Sequence, residues 1–328
     1  MKVGIIGLGR IGQVHLESLS NINDVEIVCV SDINETVCKE ITKKFNISRY
    51  TLKYEDLVSS PEVQAVWVCS PSNLHYTHVT ACLSNNKLVF CEKPLEIDSE
   101  KIQQLIDQFP DINKRLMVGF NRRFDPNFSF VKNNIHKIGK PTILKITSRD
   151  PQPPPIEYIK SSGGIFMDMT IHDFDMASFM VGAKPVSIFA VGAVNYNQAF
   201  KGIDIDTALI TIIFENGVVC NIDNSRKCTY GYDQRLEFLG DQGMLSADNV
   251  KNHHASLFNS SGLQSSLCKD FFIDRYTQAY FIENQNFIHC AQNDIKFPVT
   301  ANDALIALQL AQAANDSLNQ NKVINLND

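Results

Sequence analysis

The segment GGIFMDMTIHDFDMA, residues 163–177, sets Asp168, His172, Asp173 and Asp175 among Ile, Phe and Met. A solvated helix face would carry Lys and Glu, and an ordinary core helix would carry no charge. Read as a helix, Asp168 and His172 are four apart and share a face, and Asp175, three positions on, joins them. A carboxylate beside an imidazole fixes the ring tautomer and raises its basicity, as a general base requires. Asp173 falls on the neighbouring face and reads as a structural cap or an ion pair.

A second group of residues opens the chain. In KVGIIGLGRIG an apolar run of strand type leads into Gly7, Gly9 and Gly12, a helical pattern follows, and the next apolar run, VEIVCVSD, ends in Asp32 about twenty residues after the last glycine. Gly7 permits a tight turn, Gly9 lets a pyrophosphate approach the backbone, and Gly12 lets the helix pack close to the strand. The helix N-terminus offers N–H donors to the phosphates, and Asp32 would accept hydrogen bonds from the ribose hydroxyls. Strand, helix and acid stand in the order that dinucleotide binding needs. Asp32 would repel a 2′-phosphate, and Ile33 and Asn34 offer no cation to hold one, so the cofactor reads as NAD. A third feature is CEKP, where Lys93 stops an apolar run and Pro94 biases it away from helix. Its ammonium could orient a hydroxyl or stabilise a developing alkoxide; position alone allows a solvated strand end equally well.

These groups need elements to hold them. NETVCKEITKKF, HYTHVTACLSNN and DSEKIQQLIDQF read as helices, with EVQAVWVCS, KLVFCEK and RLMVGF as buried strands between them. Such alternation predicts an α/β fold with a doubly wound parallel sheet, which binds ligands at the carboxyl ends of its strands. Three loops then face the cofactor: GLGRIG with Gly7, Gly9, Arg10, Ile11 and Gly12; CSPSNLH with Ser70, Asn73 and His75; and CEKP with Glu92 and Lys93. After residue 120 the character changes. One helix opens with Asp125 as its cap and Pro126 at its first position, DPQPPPIEYIKSSGG reads as a proline-rich loop, and strands in sequence follow with Asn216-Gly217 and DQG turns. The expectation is a second α/β domain, 121–328, with a large, mostly antiparallel open sheet, after a nucleotide-binding domain over 1–120. Strands such as TALITIIF are apolar on both faces, which suggests that the second face is buried in an oligomer.

Composition limits the partners. The 328 residues are 44% hydrophobic and 20% charged, with a net charge of −6 and no basic stripe, so nucleic acid and anionic membrane are excluded as expectations. Runs such as VQAVWV are too short to span a bilayer, and the chain enters a strand at once with no signal peptide ahead of it. Nine cysteines without a C-x-x-C pair read as reduced core thiols of a cytoplasmic protein and give no zinc site. No other metal site is expected.

Taken together, G-x-G-x-x-G, E-K-P, GFNRRFDP, SRDPQPPP, DMTIHDFDMA and YGYDQR resemble the glucose–fructose oxidoreductase/inositol dehydrogenase (Gfo/Idh/MocA) family over nearly the whole chain. The likeness is weakest from 250 to 275. The resemblance implies an N-terminal Rossmann domain and NAD-dependent oxidation of a secondary hydroxyl of a cyclic polyol, with the inositol 2-dehydrogenases as the nearest branch. It implies a homotetramer. It implies a Lys–Asp–His triad at the reacting hydroxyl, here Lys93, Asp168 and His172, and polyol-binding positions at Asp150, Asp175, Tyr232 and Tyr280. Rival readings are the same chemistry on scyllo- or chiro-inositol or a sugar, a non-catalytic NAD(H)-binding sensor, and a methyltransferase, which would leave Asp32 and CEKP unexplained.

Overall fold

In a computed structural model that describes residues 1–326, the run KVGII is a strand, β1 (Lys2–Ile6), and five more follow: β2 (Glu26–Ser31), β3 (Arg49–Thr51), β4 (Ala65–Val68), β5 (Leu88–Glu92) and β6 (Leu116–Gly119). They pair in parallel in the order β3-β2-β1-β4-β5-β6. This is the order of a doubly wound dinucleotide fold, and its switch point lies between β1 and β4. The strands read as apolar runs because helices cover both faces of such a sheet; Val3, Ile5, Val66, Trp67 and Phe90 are fully buried. Asn34 caps the helix Glu35–Phe45 and Asp98 caps Ser99–Gln108, each by accepting backbone N–H groups.

Two compact units result, Met1–Phe124 with Gln278–Ile306, and Asp125–Thr277 with the residues from Ala307 onward. The expected division lies at residue 120; the first unit here runs to Phe124, and 278–306 groups with it. The reason is aromatic packing: Phe287, on the helix Phe272–Gln292, sits 4.6 Å from Trp67 and stacks on Phe297 at 4.7 Å. Val118 N–H also donates to Val299 O at 3.1 Å. Thr300 and Asp303 cap the helix Ala301–Gln320 reciprocally.

The second unit is built on a seven-stranded sheet. Its strands are β7 (Pro141–Arg149), β8 (Pro185–Ala193), β9 (Thr207–Phe214), β10 (Val219–Ser225), β11 (Asp233–Gly240), β12 (Gly243–Ala247) and, after the hairpin β13 (Ser256–Asn259) and β14 (Gly262–Ser265), β15 (Ile324–Asn325). Every neighbouring pair is antiparallel except β7 and β10. Burial alternates strictly. Ala208, Ile210, Ile212 and Phe214 point into the core, while Leu209 and Ile213, with Ile143, Val219 and Leu239 from neighbouring strands, lie exposed on the other face. The Asn216-Gly217 turn joins β9 to β10, but only Gly217 takes a positive φ, so this is a three-residue loop with a glycine bulge and not a two-residue turn. Part of the proline-rich loop is helical, over Ile156–Ser162. Prolines end at 155, and the residues after them are free to form helix.

The buried Asp206 carboxylate accepts backbone N–H groups from Asn195, Tyr196 and Asn197 and the Thr207 hydroxyl. Burial pushes its pKa up, but these four donors outweigh burial and hold it below the usual value. The stabilisation is therefore present above the unfolded value near pH 4 and is lost as pH falls through the folded one. Asp206→Asn should lower the melting temperature at pH 7, and the gap to wild type should narrow as pH drops below about 4; a gap constant with pH would show that the charge contributes nothing.

Candidate active site

The first unit gathers its functional residues at the carboxyl ends of β1, β2, β4 and β5. Gly7 has φ +93°, and a Cβ there would lie 2.5 Å from Cys69 O. A Cβ on Gly12 would come within 2.1 Å of Gly7 O, so the helix Arg10–Leu19 packs against the turn as expected. Nothing lies within 4 Å of a Cβ on Gly9, which leaves the open approach that a pyrophosphate requires. Arg10 is exposed and Ile11 half-buried beside it. Asp32 accepts Leu8 N–H on one oxygen (2.8 Å) and Asn34 N–H on the other (2.9 Å). Its carboxylate thus ties the glycine loop to the end of β2 and keeps lone pairs for a ribose. These observations fit a bound NAD.

The other cofactor-loop residues divide. Asn73 is exposed in the short turn Ser72–Leu74, and Ser70 Oγ lies 2.9 Å from His78 Nδ1. His75 is buried with both ring nitrogens against backbone carbonyls, so neither is left for a cofactor. Glu92 is turned inward as well: Oε1 meets His15 Nε2 at 2.8 Å and Oε2 accepts Lys93 N–H at 3.3 Å. Lys93 is half-buried at the end of β5. Tyr280, on the helix Phe272–Gln292, is buried with its ring edge-on to His15 at 5.6 Å.

In the second unit, residues 163–181 do not form one α-helix. Gly163 and Gly164, both at positive φ, end the preceding helix; a π-helical turn spans Phe166–Thr170, and the α-helix is Ile171–Val181. Thr170 Oγ1 donates to Ile165 O five residues back, which supports the widened turn. Asp168 therefore lies in the π turn and His172 in the α-helix, both half-buried, and the simple four-residue face assumed for them does not apply. Asp168 accepts the Tyr158 hydroxyl at 2.9 Å and Arg226 Nη1 at 3.1 Å. Arg226 is 1% exposed and also pairs with Asp204 at 3.3 Å. Burial and the adjacent Asp168 carboxylate push the Tyr158 phenol well up, so it stays a donor.

Thr170 holds the cap position of the helix, and Asp173 lies in its first turn. It is fully buried and accepts Ser148 Oγ at 2.5 Å and Asn224 Nδ2 at 2.9 Å, anchoring the helix to β7 and β10. Asp175 is buried two residues on. Asp150 follows β7, with its N–H on Ser225 O, and Tyr232 precedes β11, with its ring edge-on to Tyr276 at 6.0 Å. Since Arg149 pairs in register with both Ser225 and Asp233, one end of the sheet collects Asp150, Arg226 and Tyr232 together.

Arg226, Tyr158 and His15 escaped the sequence reading. Arg226 stands in the polar run DNSRK, Tyr158 follows the prolines and His15 interrupts an apolar helical pattern, and only the three-dimensional pairing shows what each holds. Arg226→Met would remove a buried cation from two half-buried carboxylates and should cost about 3 kcal/mol of stability by denaturant titration; an unchanged midpoint would mean that the pair is idle. Asp32→Ala should weaken NAD binding, relax discrimination against NADP and cost about 1–2 kcal/mol, because Leu8 and Asn34 lose their acceptors. Unchanged cofactor affinity and preference in titrations would remove Asp32 from the ribose.

Residues 1–120 match the family described as "Oxidoreductase family, NAD-binding Rossmann fold", and residues 134–246 match the GFO/IDH/MocA C-terminal domain. The chain is 40% identical to the myo-inositol 2-dehydrogenase of Thermotoga maritima, over 100% of this chain and 99% of that protein. It is 37% identical to the inositol 2-dehydrogenase of Rhizobium meliloti, over 99% of each. The crystal structure of scyllo-inositol dehydrogenase from Lactobacillus casei with bound NAD(H) and scyllo-inositol superposes with a TM-score of 0.92 at 26% identity, covering 100% of this chain and 99% of that one. With a doubly wound sheet in the expected strand order, an open glycine turn and a carboxylate at the end of β2, the chain belongs to the GFO/IDH/MocA oxidoreductase family, and its first unit is an NAD-binding Rossmann domain.

Proposed function

We propose that this protein is an NAD-dependent dehydrogenase that oxidises a secondary hydroxyl of a cyclic polyol, and that its substrate is myo-inositol, oxidised to 2-keto-myo-inositol (scyllo-inosose). What supports this reading is the placement of two suitable groups at the π/α junction: Asp168, held by Arg226 and Tyr158 in the π turn, and the half-buried His172 at the start of the helix that follows. The full-length likeness to two inositol 2-dehydrogenases supports the substrate.

His172 takes the hydroxyl proton as general base. Asp168 orients the ring and stabilises the imidazolium that forms, and its own position is fixed by Arg226 and Tyr158. Lys93 donates a hydrogen bond to the same oxygen and favours alkoxide character. Bound NAD supplies the hydride acceptor. Asp150, Asp175, Tyr232 and Tyr280 read the remaining hydroxyls, so that an analogue lacking one leaves a buried polar group unpaired. Gly7, Gly9, Arg10, Ile11, Gly12, Asp32, Ser70 and Asn73 serve NAD. The second unit binds substrate and forms the contact of a homotetramer through its apolar sheet face, where Ile143, Leu209, Ile213, Val219 and Leu239 lie exposed. No helix among the described residues is long and apolar enough to cross a membrane, and the free, buried cysteines suit a cytoplasmic enzyme.

The scyllo-inositol complex of a structural neighbour keeps one alternative open, the same chemistry on another inositol. Absorbance of NADH, followed with a panel of inositols and hexoses and with NAD or NADP, decides the matter. Turnover of myo-inositol with NAD and not NADP is expected, and His172→Ala should lower it by about 100-fold or more while NAD still binds. Faster turnover of another polyol would keep the site and change the substrate. Silence on every polyol, with NAD bound, would replace the reading with a non-catalytic NAD(H) sensor.

A further inference from the structure

Lys93 stands between two residues that are each held by a buried histidine. On one side, Glu92 Oε1 lies 2.8 Å from Nε2 of His15, which is fully buried on the helix Arg10–Leu19. The other ring nitrogen, Nδ1, lies 3.1 Å from Asn284 Oδ1. Trp67 Nε1–H, which can only donate, points at the same oxygen at 2.8 Å, and Asn284 Nδ2 donates to Ser18 Oγ at 2.8 Å. The amide orientation is thereby fixed, Oδ1 is the acceptor and His15 Nδ1 is a donor. One proton then lies between Nε2 and Glu92, and the second carboxylate oxygen takes the Lys93 N–H.

On the other side, His75 is 1% exposed and opens the helix His75–Ser84. Its Nδ1 lies 2.7 Å from Pro94 O and its Nε2 2.8 Å from Ser70 O. Both partners are carbonyls, so the ring lies between two fixed backbone acceptors. The ring is a cross-brace between the loops after β4 and β5. Its neighbour His78 is held low, by burial first and then by the charge of His75.

Neither ring has a nitrogen left for cofactor or substrate, and both grips end on the residues that flank Lys93. We propose that His15, through the Glu92 side chain, and His75, through the Pro94 carbonyl, are positioning residues that hold Lys93 where it meets the reacting hydroxyl. The inference rests on the assignment of Lys93 to that hydroxyl. Burying two imidazoles and a carboxylate is costly unless every polar atom is placed. Here the satisfied atoms converge on one three-residue turn, where an error of about 1 Å can cost a catalyst on the order of 100-fold.

A double-mutant cycle on the full-length protein tests it, with the polyol turned over fastest. His15→Gln, His75→Gln and Lys93→Met are made singly and in the pairs His15→Gln/Lys93→Met and His75→Gln/Lys93→Met. His15→Asn and His75→Asn stand in where a glutamine variant does not fold. The readouts are kcat, KM for NAD and for polyol, and melting temperature. Each histidine change is expected to lower kcat by about 10- to 100-fold with NAD KM little changed. In the Lys93→Met background the same change should cost less than about threefold. Equal losses in both backgrounds, or losses confined to melting temperature and NAD KM, would overturn the inference and leave Lys93 in its role. Full activity of Lys93→Met, or silence of the wild type on every polyol, would remove the role of Lys93 and the inference with it.

Discussion

The end of β10 grips the segment that carries Asp168 and His172 at two points, and the second unit is arranged around that grip. Asn224 holds Asp173 and Thr170, and Arg226, two residues on, holds Asp168 and Asp204. The first contact pins the α-helix to the sheet, and the second fixes the π turn before it. A buried carboxylate without partners would cost several kcal/mol, so the helix can dock only in the register that brings Asp173 onto Ser148 and Asn224. That register sets where His172 and Asp175 stand. The extra residue of the π turn then lets Asp168 reach Arg226 and Tyr158 while the helix stays seated.

The same economy of placement runs through the first unit. The glycine turn is shaped by what cannot fit: a Cβ at Gly7 or Gly12 would enter neighbouring backbone, whereas one at Gly9 would meet only open space. Asp32 closes the turn by binding Leu8 N–H before any ribose arrives. Charge and geometry for the cofactor are built from backbone N–H groups and one carboxylate, which explains why discrimination against a 2′-phosphate needs no further residue. On the far side of the switch point, β4 and β5 end in loops cross-braced by His75, and β5 is tied to the helix Arg10–Leu19 by His15 and Glu92. These loops are braced by side chains and not by strand pairing.

Much of this was legible from residue types. The Rossmann half reads from spacing alone because each of its parts has a steric or electrostatic job, and the caps at Asn34, Asp98 and Asp125 follow from side-chain chemistry. The second sheet reads from strand succession, but its one parallel pair does not, since β7 and β10 meet only after the chain has made a long excursion. The segment 163–177 reads as chemical, yet its π turn is invisible in the sequence: periodicity counts residues and assumes 3.6 per turn. Asp173 reads as a cap or an ion pair in the sequence because its partners, Ser148 and Asn224, come from distant strands. His75 was read as a cofactor contact from its loop, and only the two carbonyls around it show that it serves the protein. The helix Phe272–Gln292 returns to the first unit through Phe287, a long-range contact that no local pattern announces.

The account stands on hydride leaving one carbon of one substrate. The most direct measurement is to incubate the protein with NAD and myo-inositol deuterated at the carbon that becomes the ketone, then isolate the reduced cofactor for mass spectrometry. The predicted result is NADH carrying one deuterium, formed alongside 2-keto-myo-inositol. Unlabelled NADH, or labelled substrate recovered unchanged with no reduced cofactor, would contradict it.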